Sequence, residues 1–400
     1  MDKLLGFALL AAAVAVSTVS PASAYVNARD LGALGNGSAD DTQALQNCIN
    51  QAQTLATSCY IPGGQYVISS TLSISSRVAV YGDGIQGTQN YCYFNQGCLY
   101  LDAGTTSRTT TILPSAGIHG IYAATNDAIQ IRDLQIVYLS HPAPFTGISG
   151  IVFTGTGGSN GLCSNSRISN VLISGSDRAI SIGNCVEWWV SSSKFYDLQT
   201  YSIVFDNGVG VQYGDWEIND NTFISGSTSA FSHILIASGG GGRIVGNKFN
   251  TAGSANSSQT NGVYVNPQKN NTSVEPLTIV GNSCEGLNVC IRYTNSCPTA
   301  SSCTATQGVI TGNQMWDNFD VIVDPSGVGA WVSGLVISGN LMNVNGGSGA
   351  SNINISSASN VNIVGNLFGN TTGQGSMAIV LGAGTSNVGN SGNLKSGNTQ

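Results

Sequence analysis

The sequence predicts a right-handed parallel β-helix, and three observations lead to this prediction. From Ile180 to Leu381 one pattern returns: an apolar-x-apolar strand, a linker, a second apolar strand and then, in most copies, Gly-Asn. The asparagines that end successive copies are 26 to 35 residues apart. Short strands repeated at this interval are typical of a solenoid. Only 8% of the residues are charged and 52 are glycines, which suits a long uncharged stack with tight turns.

The repeated strands are predicted to stack their apolar residues inside the solenoid, one rung upon the next. They are Ile180–Ile182, Ile203–Phe205, Ile234–Ile236, Val263–Val265, Ile291–Tyr293, Val321–Val323, Ile353–Ile355 and Ile379–Leu381. The asparagines are Asn221, Asn247, Asn282, Asn313, Asn340 and Asn366. Stacked asparagines hydrogen-bond the backbone of neighbouring rungs, so we interpret them as structural and not as a binding array.

Residues 1–24 have the features of a secretory signal. Lys3 is the positive head, Leu4–Val16 the apolar stretch, and Ala22-Ser23-Ala24 a small-residue cleavage site. The apolar stretch is too short for a membrane span. We therefore expect a secreted protein, extracellular or periplasmic, with no membrane contact once the signal is removed.

The mature chain is predicted to be one β-helix domain. Within 25–400 we assign 25–84 to an N-terminal cap and the first rungs, 85–385 to rungs and loops, and 386–400 to a C-terminal tail. An amphipathic helix near Asp41–Ala52 would cover the open end of the first rung. Asp40 or Asp41 is interpreted as the cap of this helix and not as a paired catalytic site.

All ten cysteines lie after the signal, so disulfides are expected in an oxidising compartment. Spacing does not prove the connectivity, but five pairs are close in sequence. These are Cys48/Cys59, Cys92/Cys98, Cys163/Cys185, Cys284/Cys290 and Cys297/Cys303. Because the spacing of zinc ligands is missing from the sequence, no metal site is predicted.

Three segments, 25–52, 59–68 and 78–84, carry a resemblance to a known family. They include Asp40-Asp41-Thr42, Ile61-Pro62-Gly63-Gly64-Gln65-Tyr66 and Gly82-Asp83-Gly84. The sequence of residues 29–84 resembles the pectate-lyase-like superfamily, in particular its rhamnogalacturonase/epimerase-like group. The resemblance implies a right-handed β-helix and, commonly, polysaccharide chemistry. It does not identify the substrate or the reaction.

Alternation along the strands predicts which side chains face outward. The first predicted outward column is Ala179, Ser202, His233, Gly262, Cys290, Asp320, Asn352 and Ala378. The second is Ser181, Val204, Leu235, Tyr264, Arg292, Ile322, Asn354 and Val380. The third is Gly183, Asp206, Ala237, Asn266, Thr294, Asp324, Ser356 and Gly382. Since rungs lie about 4.8 Å apart, side chains of neighbouring rungs can act together.

Two clusters of candidate site residues follow. The first joins Asp177, Arg178, Tyr201, Asp206 and His233. Titratable groups are scarce in this chain, so their gathering on one sheet points to a site. An exposed sheet must, however, carry some polar groups.

The second cluster joins Tyr264, Arg292, Asp320 and Asp324, which are candidates for substrate binding. Arg292 between the two carboxylates is also compatible with a plain cross-strand ion pair.

Two reactions fit the first cluster. Hydrolysis would use Asp177 and Asp206 as the carboxylate pair, His233 for proton transfer and Arg178 as a substrate clamp. A β-eliminating lyase would need a cation and a base, for which Arg178 with Tyr201 or His233 would suffice. No cofactor is expected for hydrolysis, whereas Ca²⁺ would be compatible with a lyase.

The first cluster resembles polygalacturonase-type glycoside hydrolases only in part. These enzymes carry an Asp-Asp doublet directly before a Cys-Ile-x-Ile strand and Gly-His-Gly before the next strand. Here Asp177 matches the doublet, Arg178 replaces its second carboxylate, and Tyr201 stands in the place of the histidine. The family's Arg-Ile-Lys motif is missing, so an ordinary polygalacturonase is not expected.

The sequence therefore favours a carbohydrate-active protein that cleaves a polysaccharide in a groove on the outward face. The alternative is a non-catalytic β-helix, such as a glycan-binding protein, an adhesin or another surface protein, because fold alone does not establish activity. The net charge of −7 argues against nucleic-acid binding, because the sequence has no basic stripe that could neutralise phosphates.

Overall fold

The computed structural model describes most of the chain after residue 24. The described ranges are 25–85, 109–124, 127–155, 162–206, 215–225, 232–251, 260–267, 273–274, 276–294, 304–325, 331–344, 350–369 and 377–395. The signal segment 1–24, and with it the predicted cleavage site, lies outside the described residues. No described helix is long and apolar enough to cross a membrane.

The described strands form a parallel β-helix with three ladders, called here sheets A, B and C. Each full rung contributes one strand to A, then B, then C, and every pairing between described strands is parallel. Sheet A contains Leu72–Ile74, Ile121–Ala124, Ser149–Thr154, Arg178–Gly183, Tyr201–Phe205, Ser232–Ile236, Asn261–Val265, Val289–Tyr293, Phe319–Val323 and the first parts of Ser351–Val364 and Met377–Ser391.

Sheets B and C complete the rungs. Sheet B contains Tyr25–Asn27, Ser58–Tyr60, Val78–Tyr81, the first parts of Ile129–Val137 and Ser166–Ser174, Trp188–Ser191, Trp216–Asn219, Gly242–Val245, Ser273–Val274, Leu277–Val280, Thr304–Thr311, Trp331–Ser338 and the second parts of Ser351–Val364 and Met377–Ser391. Sheet C contains Asn36–Asp40, Gly64–Ile68, Thr110–Pro114, the second parts of Ile129–Val137 and Ser166–Ser174, Lys194–Tyr196, Thr222–Ser225, Lys248–Thr251, Ser283–Glu285, Gln314–Asp317, Leu341–Val344, Leu367–Phe368 and Leu394–Lys395.

The predicted N-terminal helix is present as Thr42–Thr54, after a short 3₁₀ helix at Ala28–Leu31. Its buried residues are Leu45, Cys48, Ile49 and Ala52, as the amphipathic pattern predicts. The side chain of Gln46 binds the backbone of Ser73 at 2.9 Å, so the helix is tied to sheet A. That it closes the first rung stays a prediction.

Asp40 and Asp41 both have structural partners. Asp40 Oδ1 accepts from the Thr42 amide at 3.0 Å, and hydrogen bonds from Ser69 and Thr42 lower the pKa of Asp40 to about 2. The Asp41 carboxylate accepts from the amides of Leu34 and Gly35 at 2.7 and 3.0 Å. The two carboxylates therefore have structural roles around the helix start, but Asp41, which is at the N-cap position, makes no side-chain capping hydrogen bond.

Inward stacking of the repeated strands is confirmed up to Ile353–Ile355, whereas in the last strand Ile379 is partly buried and Leu381 is 44% exposed. Ile180, Ile203, Ile234 and Val263 are fully buried and follow one another in register through sheet A. Aromatic side chains stack in the same way beneath sheets B and C. Trp188 and Trp216 lie parallel at 5.0 Å, and Phe195, Phe223 and Phe249 form a second stack. Most of the buried apolar residues from Val26 to Phe368 make one core.

The asparagine stack is also confirmed, at the turn between sheets B and C. The Oδ1 atom of Asn282 accepts from the backbone and side-chain amides of Asn247 at 2.9 and 3.0 Å. The Nδ2 atom of Asn282 donates to Asn313 Oδ1 at 2.9 Å and to the Ile244 carbonyl at 3.0 Å. The same bonds join the six predicted asparagines, and Asn393, which the repeat pattern had not included, extends the ladder by one rung.

A backbone constraint explains why glycine precedes most of the ladder asparagines. Gly246 and Gly281 have φ values of 66° and 67°, in the left-handed region where a Cβ atom is unfavourable. Asp220 takes the same conformation at φ 56° before Asn221, so glycine is preferred there but not obligatory. The turn directs the asparagine amide into the rung interior.

Three of the five close cysteine pairs form the expected disulfides within the described part of the chain. These are Cys48–Cys59, Cys163–Cys185 and Cys284–Cys290. Cys92/Cys98 and Cys297/Cys303 lie outside the described residues.

The ladder predicts the effect of Asn282→Ala. This change removes the Asn282 partner from the buried Asn247 backbone amide and from the Ile244 carbonyl, while the Asn247 side-chain amide keeps only its bond to the Ile218 carbonyl; each buried group left unsatisfied costs about 1–3 kcal/mol. We expect the free energy of unfolding to fall by more than about 3 kcal/mol. Urea unfolding followed by circular dichroism measures this change.

Asn250→Ala is the control, because the Asn250 side chain binds Glu285 in an exposed contact of 3.4 Å. It should change the unfolding free energy by less than about 0.5 kcal/mol. Equal losses in the two variants would contradict a special role for the ladder.

Candidate functional site

In most rungs the longer connections lie beside sheet A, although the longest connection between described strands, 28 residues between Tyr81 and Thr110, joins sheet B to sheet C. The turn from sheet B to sheet C is short in most rungs, as between Asn219 and Thr222. Before sheet A, six residues separate Ser225 from Ser232, and after it ten separate Phe205 from Trp216. Connections that carry function are usually those that tolerate length. We call the outward surface of sheet A the A face.

The first predicted outward column is wrong, because its residues point into the solenoid. In sheet A, Arg178 pairs with Tyr201 and Ile180 with Ile203, while Ala179 has no partner in the register. The same position is skipped in every later rung. The chain bends inward at this corner, so two consecutive residues face the core and strict alternation fails.

His233 illustrates the consequence. Its side chain is fully buried, and its ring centroid lies 5.6 Å from that of Phe223 and 5.7 Å from that of Phe249. Nδ1 is 3.3 Å from Ser202 Oγ. Burial lowers the pKa of His233 to about 3. The predicted catalytic position of His233 is therefore wrong: no substrate on the A face could reach this ring.

Asp177 is also buried, although it lies outside the first column. Its carboxylate accepts from the amides of Phe145 and Gly147 at 3.0 and 2.6 Å and from Thr200 Oγ1 at 2.6 Å. With a side-chain exposure of 0%, it cannot protonate or attack a glycosidic bond. The hydrolytic role predicted for Asp177 is replaced by a structural one, which is to hold the 139–148 connection against the next rung.

Asp206 stays on the A face, half-buried, where its Oδ1 accepts from Ser238 Oγ at 3.1 Å. Asp324 occupies the same position four rungs further on, which places it about 19 Å away. A glycosidase needs two carboxyl groups about 5–9.5 Å apart. Asp324, the other carboxylate of this column, is therefore too far from Asp206 to form such a pair.

Arg178 and Tyr201 remain together on adjacent rungs, as the sequence predicts. The guanidinium carbon lies 5.8 Å from the centroid of the Tyr201 ring. The side chain of Arg178 is 29% exposed, and its Nε is 3.9 Å from the nearest carboxylate oxygen, Asp177 Oδ2. Among described residues this Nε has no hydrogen-bond partner. Arg178 is thus a partly exposed cation whose hydrogen-bonding capacity is incompletely used.

Tyr201 has a raised pKa, because burial disfavours the charged phenolate more than the neighbouring Arg178 favours it. The phenol is therefore protonated at neutral pH. Tyr201 is able to donate a proton there, but it is a poor base.

The residues of the second predicted cluster lie on opposite sides of sheet A. Arg292 donates from Nε and Nη2 to the two oxygens of Asp324 at 3.3 and 2.7 Å on the A face. Tyr264, on the adjoining rung, accepts through its hydroxyl from Asn266 and Thr294. This arrangement is the cross-strand ion pair that the sequence allowed. Its two charged groups already satisfy each other.

Asp320 belongs to the first column and is fully buried, so its predicted outward, substrate-binding position is wrong. Its Oδ2 accepts from Asn352 Nδ2 at 2.7 Å. Burial raises the pKa of Asp320 well above its ordinary value, and the nearby Asp317 raises it further. Asp317 is itself buried, and its pKa is raised to about 8. The interior thus contains two neighbouring carboxyl groups, of which Asp317 escaped the sequence analysis.

The Asp317 carboxylate lies close to the sulfur atoms of Cys284 and Cys290, within 4.8 Å. Since these sulfurs form a disulfide, they offer no thiolate to a metal ion. These three residues therefore do not fit a zinc site, and the Ca²⁺ compatible with a lyase stays a prediction.

The sequence analysis missed His119 and Tyr122, which lie in one of the first rungs of sheet A. His119 Nδ1 accepts from the Ser149 amide at 3.0 Å, and the His119 ring lies 6.0 Å from that of Tyr122. Burial lowers the pKa of His119, and the charge of Arg178 lowers it further. His119 precedes the regular repeats, so periodicity carried no signal for it. Its position one rung before Ser149, and two before Arg178, emerges only from the register.

The bonds of Asp177 predict that Asp177→Asn is a stability variant. An amide can accept from one backbone amide of the 139–148 connection, but its NH₂ opposes the other. We expect a loss of about 2 kcal/mol in unfolding free energy, typical of hydrogen bonds to charged groups. Denaturant unfolding measures this loss, and Asp215→Asn, with an exposed side chain, is the control. A fully stable Asp177→Asn protein would contradict the structural role.

The buried carboxyl pair predicts a dependence of stability on pH. Because the folded-state pKa values of Asp317 and Asp320 are raised, the folded protein retains protons that the unfolded chain releases above its ordinary pKa of 3.8. Stability from these groups is therefore lost as pH rises from about 4 towards 8. Since His233 has its lowered pKa near 3, it is neutral in both states above about pH 7 and does not contribute there.

We expect the melting temperature to fall between pH 6.5 and pH 9, and the Asp317→Asn/Asp320→Asn double variant to show a smaller fall. Differential scanning calorimetry measures both. Asp30→Asn, an exposed carboxylate, should leave the slope unchanged. A wild-type melting temperature that rises across this range would contradict the assignment.

Comparisons with solved structures show the same fold. The A-module of the mannuronan C-5 epimerase AlgE6 from Azotobacter vinelandii has 15% identity and a TM-score of 0.54, covering 94% of this chain and all of that one. The GH87 α-1,3-glucanase catalytic unit from Streptomyces thermodiastaticus has 16% identity and a TM-score of 0.58, covering 94% and 69%. The tailspike of E. coli bacteriophage HK620, solved with a hexasaccharide, has 10% identity and a TM-score of 0.61, covering 94% and 66%.

At these identities the structural comparisons establish the right-handed β-helix alone. A sequence search of curated proteins found no match. The family comparison is more specific, since residues 25–288 match the family described as "Rhamnogalacturonase A/epimerase, pectate lyase-like". This match spans well over half of the chain and confirms the resemblance seen in the N-terminal motifs. The chain belongs to the rhamnogalacturonase A/epimerase, pectate lyase-like family.

Proposed function

We propose that the protein is a secreted, carbohydrate-active enzyme that cleaves a polysaccharide along the A face. Family membership supports polysaccharide chemistry. The similar structures include a mannuronan epimerase, a glucanase and a tailspike bound to a hexasaccharide. A continuous outward sheet with long connections on both sides suits an extended polymer, because successive sugars can lie along successive rungs.

The single observation that carries the choice of reaction is the environment of Arg178. Its side chain is partly exposed beside Tyr201, and its contact with the Asp177 carboxylate is long, at 3.9 Å from the buried Nε. A cation in this state favours an anionic ligand, and in a polysaccharide the common anion is a uronate carboxylate. Asp206 and Asp324, in contrast, are too far apart to act as the carboxylate pair that hydrolysis requires. We therefore favour β-elimination over hydrolysis.

In this reaction Arg178 binds the uronate carboxylate and stabilises the charge that develops when the adjacent C–H bond loses its proton. The carbon–oxygen bond to the leaving sugar then breaks, a carbon–carbon double bond forms, and the leaving oxygen takes up a proton. Tyr201, which is protonated at neutral pH, supplies that proton. The base that accepts the first proton is not assigned to a described residue.

The remaining outward groups extend the site along the polymer. Tyr264, Arg292 and Asp324 would contact sugars three to five rungs from Arg178, about 14–24 Å away. Asp206, on the same strand as Tyr201, would bind sugar hydroxyls. Between these groups Val204, Leu235 and Ala237 form an apolar cluster, separate from the main core, that packs with Tyr201 and Tyr264.

A second candidate is a non-catalytic glycan-binding protein. The specific observation in its favour is that both residues predicted to transfer protons most readily, Asp177 and His233, are buried. Binding would use the same face and the same Arg178, but it would need no base.

The test is an assay of a polysaccharide panel for unsaturated products, by ultraviolet absorbance, and for new reducing ends. We expect unsaturated products from a uronate polymer. Arg178→Ala should lower kcat/KM at least about a hundredfold, and Tyr201→Phe should lower kcat about a hundredfold, since each removes a group that acts in the transition state. Repeating the assay with a chelator and with added Ca²⁺ tests the cofactor.

Arg167→Ala is the matched control, because Arg167 is an exposed arginine on sheet B that packs on Trp189 at 4.7 Å. It should retain full activity. Reducing ends without unsaturation would replace elimination by hydrolysis. Binding without any cleavage would favour the second candidate.

A further inference from the structure

His119, Ser149 and Arg178 occupy equivalent positions on three successive rungs of sheet A. Ser149 is the register partner of Arg178, and the Gly120 amide donates to the Ser149 carbonyl at 3.1 Å. The Ile121–Ile151 pairing sets His119 level with Ser149 on the other side. With rungs about 4.8 Å apart, the backbones of His119 and Arg178 are about 10 Å apart. One short side chain separates two long ones.

Ser149 is buried and turned away from the space between its neighbours. Its hydroxyl lies 3.0 Å from the Gly147 carbonyl and 2.8 Å from Ser181 Oγ. A serine fills little volume, and the charge of Arg178 acts on His119, so we infer a gap about one rung wide between these two side chains. The Tyr122 ring lies beside His119, and the Tyr201 ring beside Arg178. The gap therefore has the nitrogen atoms of His119 on one side and those of Arg178 on the other, each with a tyrosine ring beside it.

The tautomer of His119 follows from its hydrogen bond. Nδ1 accepts from the Ser149 amide at 3.0 Å, so the neutral ring must carry its proton on Nε2. Burial and the charge of Arg178 lower the pKa of His119, which keeps the ring neutral at physiological pH. Among the described residues Nε2 has no hydrogen-bond partner. His119 is therefore a hydrogen-bond donor at Nε2 and is prevented from acting as a base at Nδ1.

Arg178 offers the complementary half. Its side chain is 29% exposed, whereas its Nε is buried, 3.9 Å from Asp177 Oδ2, and has no hydrogen-bond partner among the described residues. The nearest carboxylate, Asp177, is held by two backbone amides and Thr200. The gap thus presents a neutral N–H donor on one side and a cation on the other, a combination that suits a planar anion with two oxygens.

We propose that His119 and Arg178 together bind one carboxylate group of a uronate sugar over Ser149, with His119 Nε2–H donating to one oxygen and the Arg178 guanidinium to the other. This inference rests on the proposed function and adds to it a specificity-determining residue, His119. It assigns the imidazole to substrate selection and not to proton abstraction.

The test uses two substitutions that separate the nitrogens of His119. In His119→Asn, the amide oxygen can replace Nδ1 as acceptor for the Ser149 amide, while the Nε2 donor is lost. In His119→Gln, the longer side chain can place an N–H donor near the position of Nε2. Probes are polygalacturonate and mannuronan, each also in carboxyl-reduced, neutral form. Binding is measured by calorimetry and turnover by unsaturated product, with melting temperatures as the check on folding.

We expect His119→Asn to weaken binding of the uronate polymer that the wild type prefers by about ten- to hundredfold, typical of a lost hydrogen bond to a charged group. Binding of the reduced polymers should be unchanged. His119→Gln should remain within a few-fold of the wild type in both binding and turnover, since a donor is restored. The matched control is His141→Asn, because His141 is engaged by Asp197 at 3.1 Å and Gln199 at 2.9 Å. It should bind like the wild type.

Three outcomes would overturn the inference. If His119→Asn binds the uronate polymer as the wild type does, His119 has no part in carboxylate binding, while the proposed function stands. If His119→Gln binds normally but loses turnover, the ring transfers protons and the donor role is wrong. If the wild type acts only on neutral polymers, the carboxylate subsite is wrong although polysaccharide cleavage stands. A wild type that neither binds nor cleaves any polysaccharide overturns both proposals.

Discussion

Parallel pairing of each rung with the next is the constraint on which the rest of the structure depends. It stacks equivalent residues about 4.8 Å apart, so a favourable contact in one rung is repeated in its neighbours. The asparagine ladder from Asn221 to Asn393 shows the effect most clearly: each amide satisfies two groups of the preceding asparagine and one carbonyl of the preceding rung. A chain with 8% charged residues is held together by such buried neutral hydrogen bonds and by apolar stacks, not by ion pairs.

The same stacking decides which polar groups meet a ligand. At the start of each sheet A strand the chain bends, and two consecutive residues face inward. The corner column therefore runs through the interior, carrying His233 and Asp320 with it. A neutral histidine between phenylalanines and a pair of protonated carboxyl groups are tolerated there because burial shifts their pKa values towards the uncharged forms. These buried residues make stability depend on pH, whereas a ligand could contact only the side chains of the A face.

On the A face, charge is scarce and each charged group can be followed to its partner. Arg292 and Asp324 satisfy each other through short hydrogen bonds, whereas Arg178 makes only a long ion pair of 3.9 Å with Asp177 and lies beside Tyr201. That difference, more than the number of polar residues, separates a site from a solvated surface. It also explains why the likeness to polygalacturonases ends at Asp177: the residue that aligns with a catalytic carboxylate supports a connection here, and the arginine that replaces its neighbour is the exposed group.

The sequence by itself determined the solenoid, the inward stacks of Ile180, Ile203 and Ile234, the asparagine ladder and three local disulfides, because each depends on short-range periodicity or spacing. It also placed Arg178 and Tyr201 on adjacent rungs. Even Asn393 could have been predicted, since Gly392-Asn393 repeats the ladder motif.

Only the tertiary structure decided the corner bend, since a one-residue break in alternation reverses the direction of a side chain without changing the pattern. The bonds of Asp177 to residues 30 and 32 positions away, and the contact of His119 with Ser149, were likewise decided there. Such contacts depend on which rungs lie side by side, and that depends on the lengths of connections that carry no periodic signal.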